Sequence, residues 1–133
     1  MTGRPRIADY MATRLVTLQP GIEINHAVKL LLDGRISGAP VVDDKGRLVG
    51  VLSKKDCLKA ALNSSYYQEW GGTVADYMAT EIETLEADMD LVQAAERFLA
   101  SHFRRFPVMR DGRLAGQISR ADVLRGLIEN WRA

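Results

Sequence analysis

Apolar positions along this chain change period several times, and each change marks an element. Ile24, Ala27, Val28 and Leu31 fall three and four residues apart, the spacing of an amphipathic helix. A short strand is expected ahead of it, around residues 16–18. Gly38-Ala39-Pro40 interrupts the helical pattern and leads into Val41-Val42, an apolar pair suited to a buried strand. Asp43-Asp44-Lys45-Gly46 is turn chemistry, and Leu48-Val49-Gly50-Val51-Leu52 is the strand that answers it across a hairpin. Ser53 then opens a helix through Leu58 to about Leu62.

The same succession returns further on. Leu91, Ala94, Ala95 and Phe98 form a second helical stripe. Pro107-Val108-Met109 and Leu114-Ala115-Gly116-Gln117-Ile118 form a second hairpin, and a closing helix runs from Arg120 to about Asn130. The match extends to residue identity. Ile7-Ala8-Asp9-Tyr10-Met11-Ala12-Thr13 reappears 67 residues later as Val74-Ala75-Asp76-Tyr77-Met78-Ala79-Thr80. That offset also carries Thr17-Leu18 onto Thr84-Leu85, Ala27 onto Ala94 and Pro40-Val41 onto Pro107-Val108. Lys45 has no counterpart, and beyond it the offset is 66. It then aligns Gly46-Arg47-Leu48 with Gly112-Arg113-Leu114, Gly50 with Gly116, Ser53 with Ser119 and Asp56 with Asp122. Register kept through one deletion is the mark of an internal repeat. Each copy reads β-α-β-β-α and alone leaves an apolar face uncovered, so the two are expected to pack together. The division is residues 1–62, a linker at 63–72, and residues 73–133. Tyr66, Tyr67 and Trp70 lie in the linker and are expected to pin it to the body of the protein.

Composition narrows the function classes. Eighteen basic residues against seventeen acidic leave a net charge of +1, too balanced for a general attraction to nucleic acid or anionic lipid. A single cysteine and two histidines allow no internal disulfide and leave a His/Cys metal site short of ligands. Residues 1–6 have no apolar stretch behind them and do not read as a signal peptide; with no run long enough to span a bilayer, the cytoplasm is the expected location.

The ordered set Tyr-Met-Ala-Thr, amphipathic helix, Ile36-Ser37-Gly38-Ala39-Pro40-Val41-Val42-Asp43, then Gly46-Arg47-Leu48-Val49-Gly50-Val51-Leu52-Ser53 with Asp56, resembles a CBS motif. Two in tandem resemble a Bateman module over nearly the whole chain, from about Ile7 to Ile128. The resemblance implies an α/β (α+β) fold of tandem β-α-β-β-α motifs related by a pseudo-two-fold. It also implies a regulatory role without catalysis: such modules sense adenosine-containing ligands, namely AMP, ADP or ATP, sometimes S-adenosylmethionine or NAD, with no obligatory cofactor. As the sequence ends at Ala133, the regulated effector is expected to be a separate protein.

Two segments of each copy are candidates to hold the ligand. Ser53-Lys54-Lys55-Asp56 recurs as Ser119-Arg120-Ala121-Asp122. A helix N-terminus offers unpaired N–H groups and a positive dipole end to phosphate or ribose oxygens, and an aspartate three residues in can accept from both ribose hydroxyls. Ser-x-x-Asp is equally a capping box, the simpler reading of the spacing alone. Its presence in both copies of a repeat resembling this family turns the expectation toward a sugar hook. The other candidate is the pre-proline segment, Ile36-Ser37-Gly38-Ala39-Pro40 in one copy and Phe103-Arg104-Arg105-Phe106-Pro107 in the other. It offers an apolar side chain for a base face and backbone groups for the adenine edge, with Gly38 permitting close approach. Ile36 and Phe103 read equally well as core, and Arg104 and Arg105 as a solvated edge. The family's clefts, carried over, join Ile36 to Pro40 with Ser119 and Asp122, and Phe103 to Pro107 with Ser53 and Asp56. The second would gather Arg104, Arg105, Lys54 and Lys55 and tolerate more phosphates.

Other reactive side chains read as structural. Cys57 aligns with Val123 and is expected to be a small buried hydrophobe. His26 aligns with Gln93, an exposed helix position, and His102 reads as a cation near a helix C-terminus. No Gly-rich phosphate loop or nucleophile with a placed base is visible, so no catalytic or metal-binding residue is assigned. The rival reading is an interaction module without ligand: the family commonly stacks two modules, and faces bearing Met11, Met78, Leu124 and Leu127 would serve a homodimer.

Overall fold

The structure, a computed structural model, describes residues 4–131. It divides into two compact units that are not the two repeats. Unit 2 is Val16–Ile82; unit 1 combines the chain before residue 16 with the chain from Glu83 onward. The opening segment of each repeat is therefore housed with the body of the other.

Unit 2 contains α1 (Ile24–Asp33), β1 (Gly38–Val42), β2 (Leu48–Ser53), α2 (Lys54–Tyr67) and the short helix α3 (Val74–Tyr77). Its core is Leu18, Ile24, Ala27, Leu31, Ala39, Val41, Leu52, Cys57, Ala60 and Val74. Unit 1 contains β3 (Leu85–Glu86), α4 (Leu91–Leu99), β4 (Arg105–Arg110), β5 (Arg113–Ser119) and α5 (Arg120–Glu129). Ile7, in a single 3-10 turn, joins its core with Leu91, Phe98, Phe106, Val108 and Ile118. The helical stripes bury the same positions in both copies: Ile24, Ala27 and Leu31 in α1, and Leu91, Ala94 and Phe98 in α4.

The exchanged segments are tied in by backbone pairing. Ala12 N–H donates to Gln117 at 2.8 Å and Gln117 N–H to Ala12 at 2.9 Å; Val51 and Ala79 do the same at 3.0 and 2.9 Å. These bonds also explain how a proline sits inside each hairpin. Pro40 pairs with Val51 and Pro107 with Gln117, and both partners turn their N–H and C=O away to the exchanged segment, so the hairpin ladder requires no proline N–H. Met11 and Met78 then pack down on glycines of the same strands. A Cβ at Gly116 would stand 2.7 Å from Met11 Sδ, and one at Gly50 would stand 2.5 Å from Met78 Sδ. An amide–hydroxyl contact latches each segment to a helix, from Asn130 Nδ2 at the end of the last helix to Tyr10 Oη at 2.8 Å and from Asn63 Nδ2 within α2 to Tyr77 Oη at 3.1 Å.

Lys45 is the difference between two hairpin turns. The three-residue turn Asp44-Lys45-Gly46 places only Gly46 at positive φ, whereas the second copy uses Asp111 and Gly112, both at positive φ, the two-residue arrangement that suits strand twist.

Four expectations need correction. The strand expected at residues 16–18 is a single bridge from Leu18 to Val41. In the second copy β3 is a true strand parallel to β4, continued by Ala87 N–H donating to Met109; the aligned residue in the first copy is Pro20, which has no N–H to give. Gly38-Ala39-Pro40 does not precede β1 but lies within it, since α1 has already ended at Asp33. Helix α2 runs on to Tyr67, a full turn beyond Leu62. The linker aromatics are not pinned down: Tyr66 and Tyr67 are 74% and 77% exposed, and Trp70 44%.

Candidate functional site

Within each unit the pre-proline segment and the helix-opening serine adjoin. Gly38 pairs with Ser53 across β1 and β2, and Lys54 N–H donates to the Ser37 carbonyl at 2.9 Å. In unit 1 Arg105 pairs with Ser119, and the Arg120 guanidinium donates to the Phe103 carbonyl at 3.1 Å. Gly38 is required by the fold itself, since a Cβ there would lie 2.9 Å from the Leu52 carbonyl oxygen.

Both Ser-x-x-Asp motifs are working capping boxes. Asp56 Oδ2 accepts from Ser53 N–H at 2.9 Å and from Ser53 Oγ–H at 2.8 Å, while Asp56 N–H donates back to Ser53 Oγ at 3.2 Å. Asp122 Oδ2 accepts from Ser119 N–H at 2.9 Å, and Asp122 N–H donates to Ser119 Oγ at 3.2 Å. The same box closes α3 through Thr73 and Asp76 and α4 through Asp90 and Gln93, so the motif alone does not distinguish a ligand site. In each candidate pair the cap engages one carboxylate oxygen, Oδ2, and leaves Oδ1 to other partners.

The remaining candidates divide by burial. Ala39, Pro40, Phe106 and Pro107 are buried and Ile36 is half-buried, so a ligand would meet their backbone more than their side chains. Ser37, Arg104, Arg105, Lys54 and Arg120 are exposed. Phe103 is 41% exposed and leans on Phe106 with ring centres 5.5 Å apart, and Phe106 in turn packs on Phe98 at 4.7 Å. Phe103 thus presents one face outward from a stack rooted in the core.

Of the four residues expected on a docking face, Met11, Met78 and Leu127 are partly buried against the cores of their units and Leu124 is exposed. The exposed apolar pairs are Leu58 with Leu62 on α2 and Leu124 with Ile128 on α5, each 56% exposed or more. An apolar groove of about 380 Å³ runs between α4 and α5, lined by Ala95, Phe98, Leu99, Leu124 and Leu127 with Arg120 at its edge. Cys57 is buried, and burial with the neighbouring Asp56 charge pushes its thiol up. His26 is exposed on α1. Among the described residues no helix is long and apolar enough to cross a membrane.

Sequence reasoning missed Arg125. It donates to Asp122 Oδ1 at 3.2 Å and to the Tyr10 carbonyl at 3.3 Å, and its guanidinium lies 5.8 Å from the centre of the Tyr10 ring. The three-residue spacing from Asp122 was visible, but the 115-residue separation from Tyr10 carries no local signal.

The family model described as the CBS domain matches this chain twice, over residues 7–63 and 74–129. The chain belongs to the CBS-domain family. Its crystal-structure relatives include the CBS-pair protein CBSX2 of Arabidopsis thaliana in complex with AMP, at 31% identity and a TM-score of 0.83 over 96% of this chain and 99% of that one. The CBS domain pair of protein MJ0100, in complex with 5′-methylthioadenosine and S-adenosyl-L-methionine, matches at 25% identity and a TM-score of 0.76, covering 90% of this chain and 97% of that one. Protein MJ1225 of Methanocaldococcus jannaschii is 26% identical over 125 residues, which is 94% of this CBS pair but only 44% of that longer protein.

Proposed function

We propose that this CBS pair is a non-enzymatic sensor that binds an adenine nucleotide of the AMP, ADP or ATP type and acts on a separate partner protein. The observation that carries the reading is the likeness to CBSX2, solved with AMP, over nearly the whole of both chains. Ile36, Ser37, Gly38, Ala39, Pro40, Ser53, Lys54 and Asp56 from unit 2, with Phe103, Arg104, Arg105, Phe106, Pro107, Ser119, Arg120 and Asp122 from unit 1, are the proposed contacts. Their chemistry suits the ligand. Phe103 offers an exposed ring face to a base, backbone amides at the starts of α2 and α5 suit phosphate oxygens, and the carboxylates suit ribose hydroxyls. Binding shifts the population of the sensor's conformations by as much as the nucleotide's affinity differs between them, and the partner reads that shift.

Thermal unfolding with AMP, ADP, ATP, NAD and S-adenosylmethionine tests this. A ligand at a hundred times its Kd stabilises by about 2.7 kcal/mol. With a melting entropy of roughly 2.1 cal/mol/K per residue, that raises Tm by about 10 °C for a chain this long. No shift with any of the five at millimolar concentration removes the sensor reading.

The second reading, an interaction module, is favoured by the exposed pairs Leu58/Leu62 and Leu124/Ile128, which occupy the same positions in both repeats. Apolar residues repeated on the outside of two helices suit a homodimer. Sedimentation of wild type against Leu124→Glu with Ile128→Glu checks it, with a monomeric double variant expected.

A further inference from the structure

A pocket of about 240 Å³ opens in unit 1 beside the tip of the β4–β5 hairpin, at the opposite end of β4 from Arg105 and Pro107. Its floor is apolar and its backbone is satisfied. Ala87 is buried, its N–H donates to the Met109 carbonyl and its own carbonyl accepts from Ala8 N–H, both at 2.9 Å. Around that floor stand five exposed side chains of both signs, Arg6 and Arg110 with Glu86, Asp88 and Asp111. Among the described residues no ion pair joins any two of them, and the one hydrogen bond made by their side chains runs from Arg6 Nη1 to the Asp88 carbonyl at 3.3 Å. The three carboxylates keep their acceptors, and the two guanidiniums keep nearly all their donors.

The other repeat is an internal control. Where unit 1 has Arg6, Glu86, Asp88 and Arg110, the aligned residues are Thr73, Gln19, Gly21 and Asp43, and only Asp111 meets its like in Asp44. Asp43 is engaged in its own turn, accepting from the Arg47 side chain and from Lys45 N–H. The same hairpin end is thus built without the mixed charges, so the fold does not require them in unit 1. Their signs select the ligand. A polyamine is drawn to the carboxylates but repelled by the guanidiniums, and a dicarboxylate meets the reverse, whereas a zwitterion is attracted by both sets. A guanidinium fork holds a carboxylate by two parallel bonds, and carboxylates accept from an ammonium. The volume lies below the roughly 300 Å³ at which pockets for drug-sized molecules begin, which limits the ligand to a small one. We propose that this pocket binds a free α-amino acid, with its carboxylate on Arg6 and Arg110 and its ammonium among Glu86, Asp88 and Asp111.

Amide chemical shifts of the isotope-labelled whole chain, titrated with glycine, L-serine, L-leucine, L-glutamate and L-arginine, test the site. Affinity of millimolar order is expected for ligands so small. At about 10 mM, at least one of the five then moves the amides of Ala87, Asp88, Arg110 and Asp111. Removing either charge, as in the des-amino acid or the decarboxylated amine of the amino acid that binds, weakens binding about tenfold or more, the scale of a lost hydrogen bond to a charged group. Arg110→Gln and Glu86→Gln each weaken it by about fivefold or more on the same grounds. Both leave the unfolding midpoint where it was, because the two side chains are exposed and unpaired, and this separates a lost site from a lost fold. The proposal is overturned if none of the five amino acids moves these amides, if either half-molecule binds as well as the whole, or if Arg110→Gln and Glu86→Gln leave binding intact.

Discussion

Alanine at position 116 places a methyl carbon 2.6 Å from the Ala12 carbonyl oxygen and 2.7 Å from Met11 Sδ. The sulfur ends a flexible side chain and can swing aside. The carbonyl cannot move without loosening the two Ala12–Gln117 backbone bonds that hold the exchanged segment in unit 1. Overpacking of this kind costs about 1–3 kcal/mol, and weakening of the two backbone bonds adds about 1 kcal/mol in all, so Gly116→Ala is expected to destabilise by about 2–4 kcal/mol. For 133 residues the melting entropy is roughly 0.28 kcal/mol/K, which turns that loss into a fall in Tm of about 7–14 °C. Thermal and urea unfolding followed by circular dichroism measures it. Gly21→Ala is the control, because its Cβ would meet no atom within 4 Å and its φ is ordinary; it is expected within about 0.5 kcal/mol of wild type. The reasoning is refuted if Gly116→Ala also falls within that margin, or if Gly21→Ala is just as damaging.

Two further outcomes follow from single groups. The Arg47 backbone N–H, opposed by desolvation and supported by the Arg47 side chain and the Lys45 N–H, holds the Asp43 carboxyl below its usual range. A depressed folded value means stability present above the unfolded carboxylate range and lost as pH falls through the folded one. Asp43→Asn is therefore expected to be less stable than wild type at neutral pH, with the gap closing below about pH 4; a gap constant down to pH 2 contradicts this. Cys57 is buried and its thiol is pushed up, first by desolvation and then by Asp56. An aromatic disulfide reagent at neutral pH is expected to label it slowly in the native protein and at once in denaturant, and rapid native labelling would show that the site is open.

The helices and hairpins were legible because local spacing determines them: Ile24, Ala27 and Leu31 recur at helical intervals, and Asp-Gly suits a tight turn. The deletion of Lys45 could be read as a turn difference for the same reason. The exchange of opening segments was not legible, since it depends on pairs such as Ala12 with Gln117, which lie far apart in sequence. Its trace was Gly50 and Gly116 in mid-strand, where glycine signals close approach by other atoms. Pro20, which cuts short the first strand, was readable in principle once aligned with Ala87. At the candidate site the caps of Asp56 and Asp122 were legible from spacing. The Arg125 contact to Asp122 was not, because the same guanidinium also bonds Tyr10, far away in sequence. The exposure of Tyr66 and Tyr67 could not be read either, since aromatic content does not reveal which side of a helix faces water.

Neither repeat encodes a finished fold. A fragment cut at the linker would take Ile7 away from the core it fills and deny Val74 to the other, so each product would carry a sticky edge and an open hydrophobic socket. A lone copy would need a twin to lend it that plug, so the two repeats depend on each other rather than standing as independent parts. The stretch that holds an entire core is Val16–Ile82. Anyone grafting, splitting or permuting this chain should cut there, out of step with the repeat.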